Sequence, residues 1–384
     1  MISLSPGTAP QIAASPAQAQ SGDQSGDRTG AGCCVAAATP STEADLGALL
    51  TGAGVAPLDD IGWMRVTGSD RIRWLNGMVT NSIQDLAAGE GCYNFVLNAQ
   101  GRIQGDLTAF LLEDSILLET NRDQVEKLIA HLDHFIIMDD VELADISDRR
   151  SGILISGPHA LRVVQELGGT ACSAPPPAMQ LPTELSLKQT VYRDAPVDLI
   201  QAYSPLVRRF EVWADFETMA QISAELASVP KVSSEAIEQL RILEGTPRYG
   251  IDIRNSETVR DLPQETGQTR ALHFSKGCYL GQEIVERIRS RGNVHRTFGG
   301  FELHGELPEP GATIEAQGKP VGELTSFAAI PLPPDLRSPN STEPLQLALG
   351  YIRREALDRG LPLDYPGGIA RPVALPIALP YAIP

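Results

Sequence analysis

Apolar side chains recur along the chain at strand and helix spacings, and the two periods alternate. Leu46, Leu49 and Leu50 share one helical face. Residues 63–66 read as a strand that runs into Thr67-Gly68. Ser69 then stands as an N-cap for a helix over 70–77, with Ile72 and Leu75 on one side. The apolar runs 93–97 and 103–112 flank Asn98-Ala99-Gln100-Gly101-Arg102, which predicts a hairpin with glycine in its turn. A strand over 115–120 precedes a helix over 122–132 whose inner face is Val125, Leu128, Ile129 and Leu132. A strand over 141–146 follows.

The same order then returns. A strand over 152–156 enters the turn Gly157-Pro158 and a helix over 160–167. Residues 173–190, rich in Pro and Ser, read as a surface loop. Strands are predicted over 191–193, 199–202 and 210–213, and helices over 216–227 and 233–243, the last with Ile237, Leu240 and Leu243 inward. Residues 254–275 have little periodicity. Such a stretch inside a compact domain is usually functional or disordered, and its position directly before residues 276–283 favours a functional one. After Gly292, short β runs over 296–303, 313–316, 321–327 and 347–352 are spaced by Gly and Pro, with a Pro-rich insertion over 331–344. That pattern predicts a small β-barrel or meander.

The predicted fold class is α+β: two related α+β units followed by a C-terminal barrel. The expected division is a disordered tail over 1–42, a first unit over 43–150, a second over 151–295, the barrel over 296–355 and an irregular tail over 356–384. The tail over 1–42 is built from small and polar residues without periodicity, and shows neither a secretory leader nor an Arg-rich transit pattern.

Charge and cysteine content narrow the function. The formal net charge of −17 over 384 residues argues against a nucleic-acid partner bound through a broad basic surface. No apolar run reaches the ~20 residues of a membrane span. Cysteines at 33, 34, 92, 172 and 278 form no CxxC pair, so reduced thiols in a cytoplasmic setting are expected rather than a disulfide framework, a zinc site or a cluster ligand set. His131-x-x-His134 sits on a helix with Asp139-Asp140 beyond, a spacing that can hold a metal, but HExxH is absent and a helix end is an ordinary place for solvated histidines, so no metal is expected. No GxGxxG or phosphate-cradling loop occurs.

The chemistry concentrates in Lys276-Gly277-Cys278-Tyr279-Leu280-Gly281-Gln282-Glu283. A helix is predicted from Leu280 or Gly281 to Gly292. Cys278 then lies just ahead of a helix N-terminus and two residues after Lys276, and both features favour the thiolate. Cys278 and Lys276 are accordingly the candidate reactive pair.

This stretch resembles the signature of the YgfZ-type folate-binding proteins, relatives of the aminomethyltransferase (T-protein) of the glycine cleavage system. Arg241-Ile242-Leu243-Glu244-Gly245-Thr246-Pro247 and Leu262-Pro263-Gln264-Glu265 agree with it. The resemblance spans roughly residues 43–355. It implies the two units and the barrel set round a channel, tetrahydrofolate or a derivative as the bound cofactor, and support of iron–sulfur cluster assembly or repair, with iron–sulfur client enzymes or assembly factors as partners. A folate needs apolar walls, an acceptor for the pterin N–H groups and a base for its acidic tail. Tyr249, Asp252, Glu265, Tyr279, Gln282, Glu283 and Arg287 can supply these, and the resemblance places Glu265 on the pterin. The alternative is a tetrahydrofolate-dependent aminomethyltransferase. The transferases carry an Asp-Asp pair where this chain has Gly105-Asp106. A glycine at the first place argues against transfer.

Overall fold

The structure, a computed structural model, describes residues 40–169, 185–256, 259, 261–291, 294–337 and 343–379. Cys33, Cys34 and Cys172, and most of the tail expected over 1–42, lie outside them.

The first sheet has strand order β3-β4-β5-β2-β6, all antiparallel. Its strands are β2 (Ile61–Thr67), β3 (Gly91–Leu97), β4 (Ile103–Leu111), β5 (Ile116–Asn121) and β6 (Glu142–Asp145). Helices α2 (Arg71–Met78) and α3 (Val125–Asp133) cover one face. Met64, Val66, Leu107 and Leu118 from the strands meet Trp74, Leu75, Leu128 and Leu132 from the helices. The predicted Ser69 cap does not form. Asp70 takes the N-cap position, and the Ser69 hydroxyl donates to Asp140 Oδ2 at 2.7 Å, tying the helix start to the loop before β6.

The second sheet has order β1-β7-β10-β9-β8. It contains β1 (Gly54–Pro57), β7 (Ser151–Ser156), β8 (Ser186–Tyr192), β9 (Ala195–Ala202) and β10 (Arg209–Ala214), covered by α4 (Ala160–Gly169) and α5 (Phe216–Glu225). Both sheets repeat one plan: an edge hairpin, the strand that leads into the second covering helix, the strand that leads into the first, and a short edge strand. The last place is filled by β6 in one sheet and by β1 in the other. The segment 54–57 thus crosses from the expected first unit to the second sheet, pairing Val55 with Ile155. The loop predicted through 190 instead becomes β8 from Ser186, because Leu187 packs into the core while its neighbours Lys188, Gln189 and Thr190 face solvent.

The uncovered faces of the two sheets point inward. Trp63, Phe110 and Leu117 from the first share a core with Leu154, Ile200 and Trp213 from the second, and the rings of Trp63 and Trp213 meet edge-on at 5.3 Å. Leu46 and Leu49 of α1 (Pro40–Thr51) and Leu240 and Leu243 of α6 (Ser234–Glu244) complete that core. A Ser233 hydroxyl that accepts from Ala236 N–H starts α6, and left-handed Gly245 ends it. Helix α7 (Gln282–Arg291) follows the irregular segment, which contains two short 3₁₀ turns.

The barrel closes in the order β11-β14-β13-β12-β15-β16. Its strands are β11 (Arg296–Gly305), β12 (Thr313–Ala316), β13 (Lys319–Ile330), β14 (Leu345–Arg353), β15 (Asp364–Tyr365) and β16 (Gly368–Val373), with α8 (Arg354–Asp358) between β14 and β15. The tail expected from 356 is therefore part of the barrel as far as Val373: β16 pairs with β11 from Gly300 to Gly305 and removes its free edge. Among the described residues no helix is long and apolar enough to cross a membrane.

Candidate functional site

A cavity of about 1030 Å³ opens between the inward faces of the two sheets and α6. Strand β4 delivers the central carboxylate. Successive residues of a strand face opposite sides, so Gly105 and Leu107 turn to α3 while Asp106 and Thr108 turn to the cavity. A Cβ on Gly105 would sit 2.7 Å from Gln124 Oε1 and 2.8 Å from a Leu128 methyl, in the helix-covered core. A side chain at 105 would point away from the cavity. The residue that presents a carboxylate there is Asp106, which corrects the expectation that Gly105 deprives the site of one.

Asp106 is held on both oxygens. The Tyr93 hydroxyl donates to Oδ2 at 2.6 Å and Gln124 Nε2 donates to Oδ1 at 2.9 Å. Burial pushes its carboxyl above the usual range, and those two hydrogen bonds and the Arg270 charge oppose the shift. A carboxyl so placed can hold or exchange a proton with a nitrogen set against it. Arg270 is wedged between two aromatic walls, 4.2 Å from the Tyr93 ring centre and 3.8 Å from that of Tyr203. Across the cavity, Glu244 of α6 accepts from the Ser204 hydroxyl, and burial pushes its carboxyl up to about 7. Glu119 of β5 also faces the cavity. Just behind the wall, fully buried Glu211 accepts from Arg209 and from Trp213 Nε1.

The residues singled out from the sequence divide between this cavity and other places. Tyr249 lines it. Its hydroxyl donates to Gln104 O at 2.6 Å, and burial pushes the phenol up to about 12. Asp252 does not reach it. Fully buried, it accepts from Arg241, Thr325, Ser326 and the Arg248 amide, and so joins α6 and the following turn to the barrel. Glu265 accepts from Arg296 at 3.0 Å and from the Leu262 amide, while Arg296 also holds Asp261 at 2.6 Å. The Glu265 carboxylate thus already has a cationic partner, and it is not part of the cavity wall.

The signature segment forms a joint. Lys276 Nζ donates to the carbonyls of Asn76, Val79 and Asn81 at 2.5–2.8 Å, at the end of α2. Burial pulls its ammonium down to about 8. An ammonium spent on three carbonyls of the first unit does not serve Cys278, which corrects the expected Lys276–Cys278 pair. Gly281, at φ +82°, lies so close to the β3–β4 turn that a Cβ would meet Asn98 O at 2.6 Å. Left-handed Gly101 of that turn packs in return against Ile284. Tyr279 is buried in a cluster with Tyr93, Phe95 and Val285, and Gln282 Oε1 accepts from the Tyr279 amide. Glu283 and Arg287 are exposed. Cys278 is exposed ahead of α7 and outside the cavity wall, whereas Cys92 is buried, its thiol pushed up to about 11. His131 Nε2 is 3.1 Å from Leu97 O, and no group of metal-capable side chains occurs among the described residues.

Asp106, Glu119, Tyr203, Glu244 and Arg270 were not chosen from the sequence. They sit on separate strands, a helix and a turn, without a shared motif. The one available signal was the alternation in β4, which sends Asp106 to the face opposite Leu107.

With the geometry in place, the solved structures give the fold. The structure of the glycine cleavage system aminomethyltransferase T from Bartonella henselae superposes with a TM-score of 0.73 over 87% of this chain and 89% of that one, at 18% identity. This chain has the T-protein fold. The family model for the GCVT N-terminal domain matches residues 27–181. A putative chloroplastic transferase of Arabidopsis thaliana is 26% identical over 323 residues, which is 82% of this chain and 68% of that protein. An aminomethyltransferase of Thermoanaerobacter sp. (strain X514) is 24% identical over 287 residues, 73% of this chain and 75% of that protein. In this T-protein fold the two repeated sheets and α6 wall the cavity that carries Asp106.

Proposed function

We propose that this protein binds tetrahydrofolate or a derivative in the central cavity and acts as a folate-dependent transferase of one-carbon units, of the aminomethyltransferase type. The observation that carries this reading is Asp106: a carboxyl turned into a roomy cavity, fixed on both oxygens and raised by burial. The residues present fit a folate. Tyr93, Tyr203 and Tyr249 offer aromatic walls for a flat ring, and Ser204 with Glu244 offers an acceptor–donor pair for ring N–H groups. Arg248, in loose contact with Asp60 at 3.9 Å, can meet an acidic tail. The folate would supply the nitrogen that accepts the one-carbon unit. Asp106 would hold or move the proton at that nitrogen, with the Tyr93 hydroxyl and Gln124 keeping its carboxyl in place. The similarity to aminomethyltransferases supports the same reading.

The test supplies tetrahydrofolate and an aminomethylated carrier protein and follows methylene-tetrahydrofolate. Calorimetric titration of tetrahydrofolate runs alongside. Binding with turnover is expected, and absence of folate binding would overturn the reading.

A second reading has one observation in its favour. Cys278 is an exposed thiol in the KGCYxGQE segment, available to another protein. That suits an accessory role towards iron–sulfur client enzymes in the cytoplasm. Binding without turnover, together with loss of iron–sulfur enzyme activity in cells carrying Cys278→Ala, would favour it.

A further inference from the structure

Among the described residues, the carboxyl groups inside the cavity have a partner on at least one oxygen, with one exception. Asp106 is held by Tyr93 and Gln124, Glu244 by Ser204, Glu238 by Arg241, and Glu235 by the Thr42 hydroxyl. Asp60 faces Arg248, and Asp59 is exposed at the rim. The Glu119 side chain has no hydrogen bond or ion pair among the described residues. It stands in β5 between Thr108 of β4 and Trp63 of β2, half-buried and lining the cavity.

The cations that act on it from a distance are bonded elsewhere. Arg209 is bonded to Glu211, and Arg150 is bonded to Asp198 while stacked 4.4 Å from Trp63. Glu119 is a half-buried carboxyl with no bonded partner among the described residues, so whatever occupies the cavity and offers a positive N–H group can gain a charge-assisted hydrogen bond by meeting it. The wall as a whole agrees. Seven carboxyl residues and three arginines line the cavity, which gives it a negative interior.

We propose that Glu119 is a docking point for a protonated amine. On the transferase reading, which this inference deepens, the amine is the nitrogen end of the one-carbon donor. The folate itself has no cationic nitrogen to place there. The site thus separates two substrates by charge: the flat, acidic-tailed acceptor along the tyrosines, and the cationic donor at Glu119. Burial and the facing Glu211 push the Glu119 carboxyl well above the usual range, Asp60 adds to this, and Arg209 and Arg150 oppose it. Glu119 acts by placing the amine and is a positioning residue.

The test uses two probes of one shape, benzylammonium and benzyl alcohol, titrated calorimetrically at neutral pH into the full chain. The wild type is expected to bind the cation about tenfold or more tightly than the alcohol, the worth of one charge-assisted hydrogen bond. Glu119→Gln is expected to bring the two within about twofold. Equal affinities in the wild type, no binding of the cation, or a preference that survives Glu119→Gln would each overturn the proposal. The wild-type comparison decides even if the variant fails to fold. Tetrahydrofolate titration of the same samples separates the two readings. Lost folate binding with the cation preference intact strikes the function proposed above, and the converse strikes Glu119.

Discussion

The segment 276–291 and the cavity wall spend their polar groups in opposite ways. In the segment, Lys276 gives its donors to three backbone carbonyls, Gln282 accepts a backbone amide, and Gly281 and Gly101 interlock with neighbouring chain. These bonds are complete without a ligand. On the wall, Asp106, Glu119 and Glu244 are half-buried carboxyls raised by desolvation above their usual range, and the Glu119 side chain lacks a bonded partner among the described residues. A joint satisfies its polar groups within the fold, whereas a site keeps some of them raised or open for what enters. The more conspicuous sequence is the joint.

The comparison breaks first at Lys276. Replacing it by Met leaves three carbonyls of the α2 end without their donor. A loss of about 3 kcal/mol of stability is expected, read as a lowered denaturant midpoint with unchanged slope. A variant as stable as the wild type would show that the ammonium does not hold the segment down.

Glu244 sharpens the other side. Its folded carboxyl at about 7 lies above the ordinary 4.5, so the folded state binds the extra proton between those values. The stability it contributes is fully present below pH 4.5 and is lost as pH rises through 7. Across that window the wild type should lose about 2 kcal/mol relative to Glu244→Gln. Parallel curves for the two proteins would contradict the raised carboxyl.

A smaller effect is expected at the hairpin tip. Gly101 has φ +70°, and a Cβ there would lie 2.8 Å from Ile284 Cβ. Gly101→Ala should cost about 1–2 kcal/mol through backbone strain and displacement of α7. Hydrogen exchange confined to α7 and the turn 98–102 would locate the loss, and unchanged exchange there would count against the interlock.

Much of the fold was legible because local periods carried it. The hairpin over 93–112, the inner face of α3 and the stripe Leu46, Leu49, Leu50 each lie where spacing put them. Strands β15 and β16 were not legible: Asp364-Tyr365 and Gly368–Val373 are short, carry Gly and Pro, and form because β11 offers an edge to close. The crossing of β1 into the second sheet is likewise a tertiary choice, since Gly54–Pro57 looks the same in either unit. Within the site, Tyr249 could be named because it follows the helix leading to the signature. Asp252 and Glu265 have the right chemistry, but Arg241 and Arg296 claim them, and no spacing in the chain reveals that pairing. Asp106 and Glu119 gain their meaning from strand faces brought together by the β4–β5 hairpin and by a second sheet drawn from other parts of the chain, which only the folded chain displays.

On the proposed function, the chemistry lies at Asp106 and the signature segment has a structural role. One experiment sets these against each other: transfer from an aminomethylated carrier protein to tetrahydrofolate by the wild type, Asp106→Asn and Cys278→Ala, with folate affinity measured on each. The prediction is a loss of about a hundredfold or more in turnover for Asp106→Asn with folate still bound, and turnover within about twofold of the wild type for Cys278→Ala. Undiminished turnover in Asp106→Asn, or its collapse in Cys278→Ala, would contradict the account and move the chemistry to the signature.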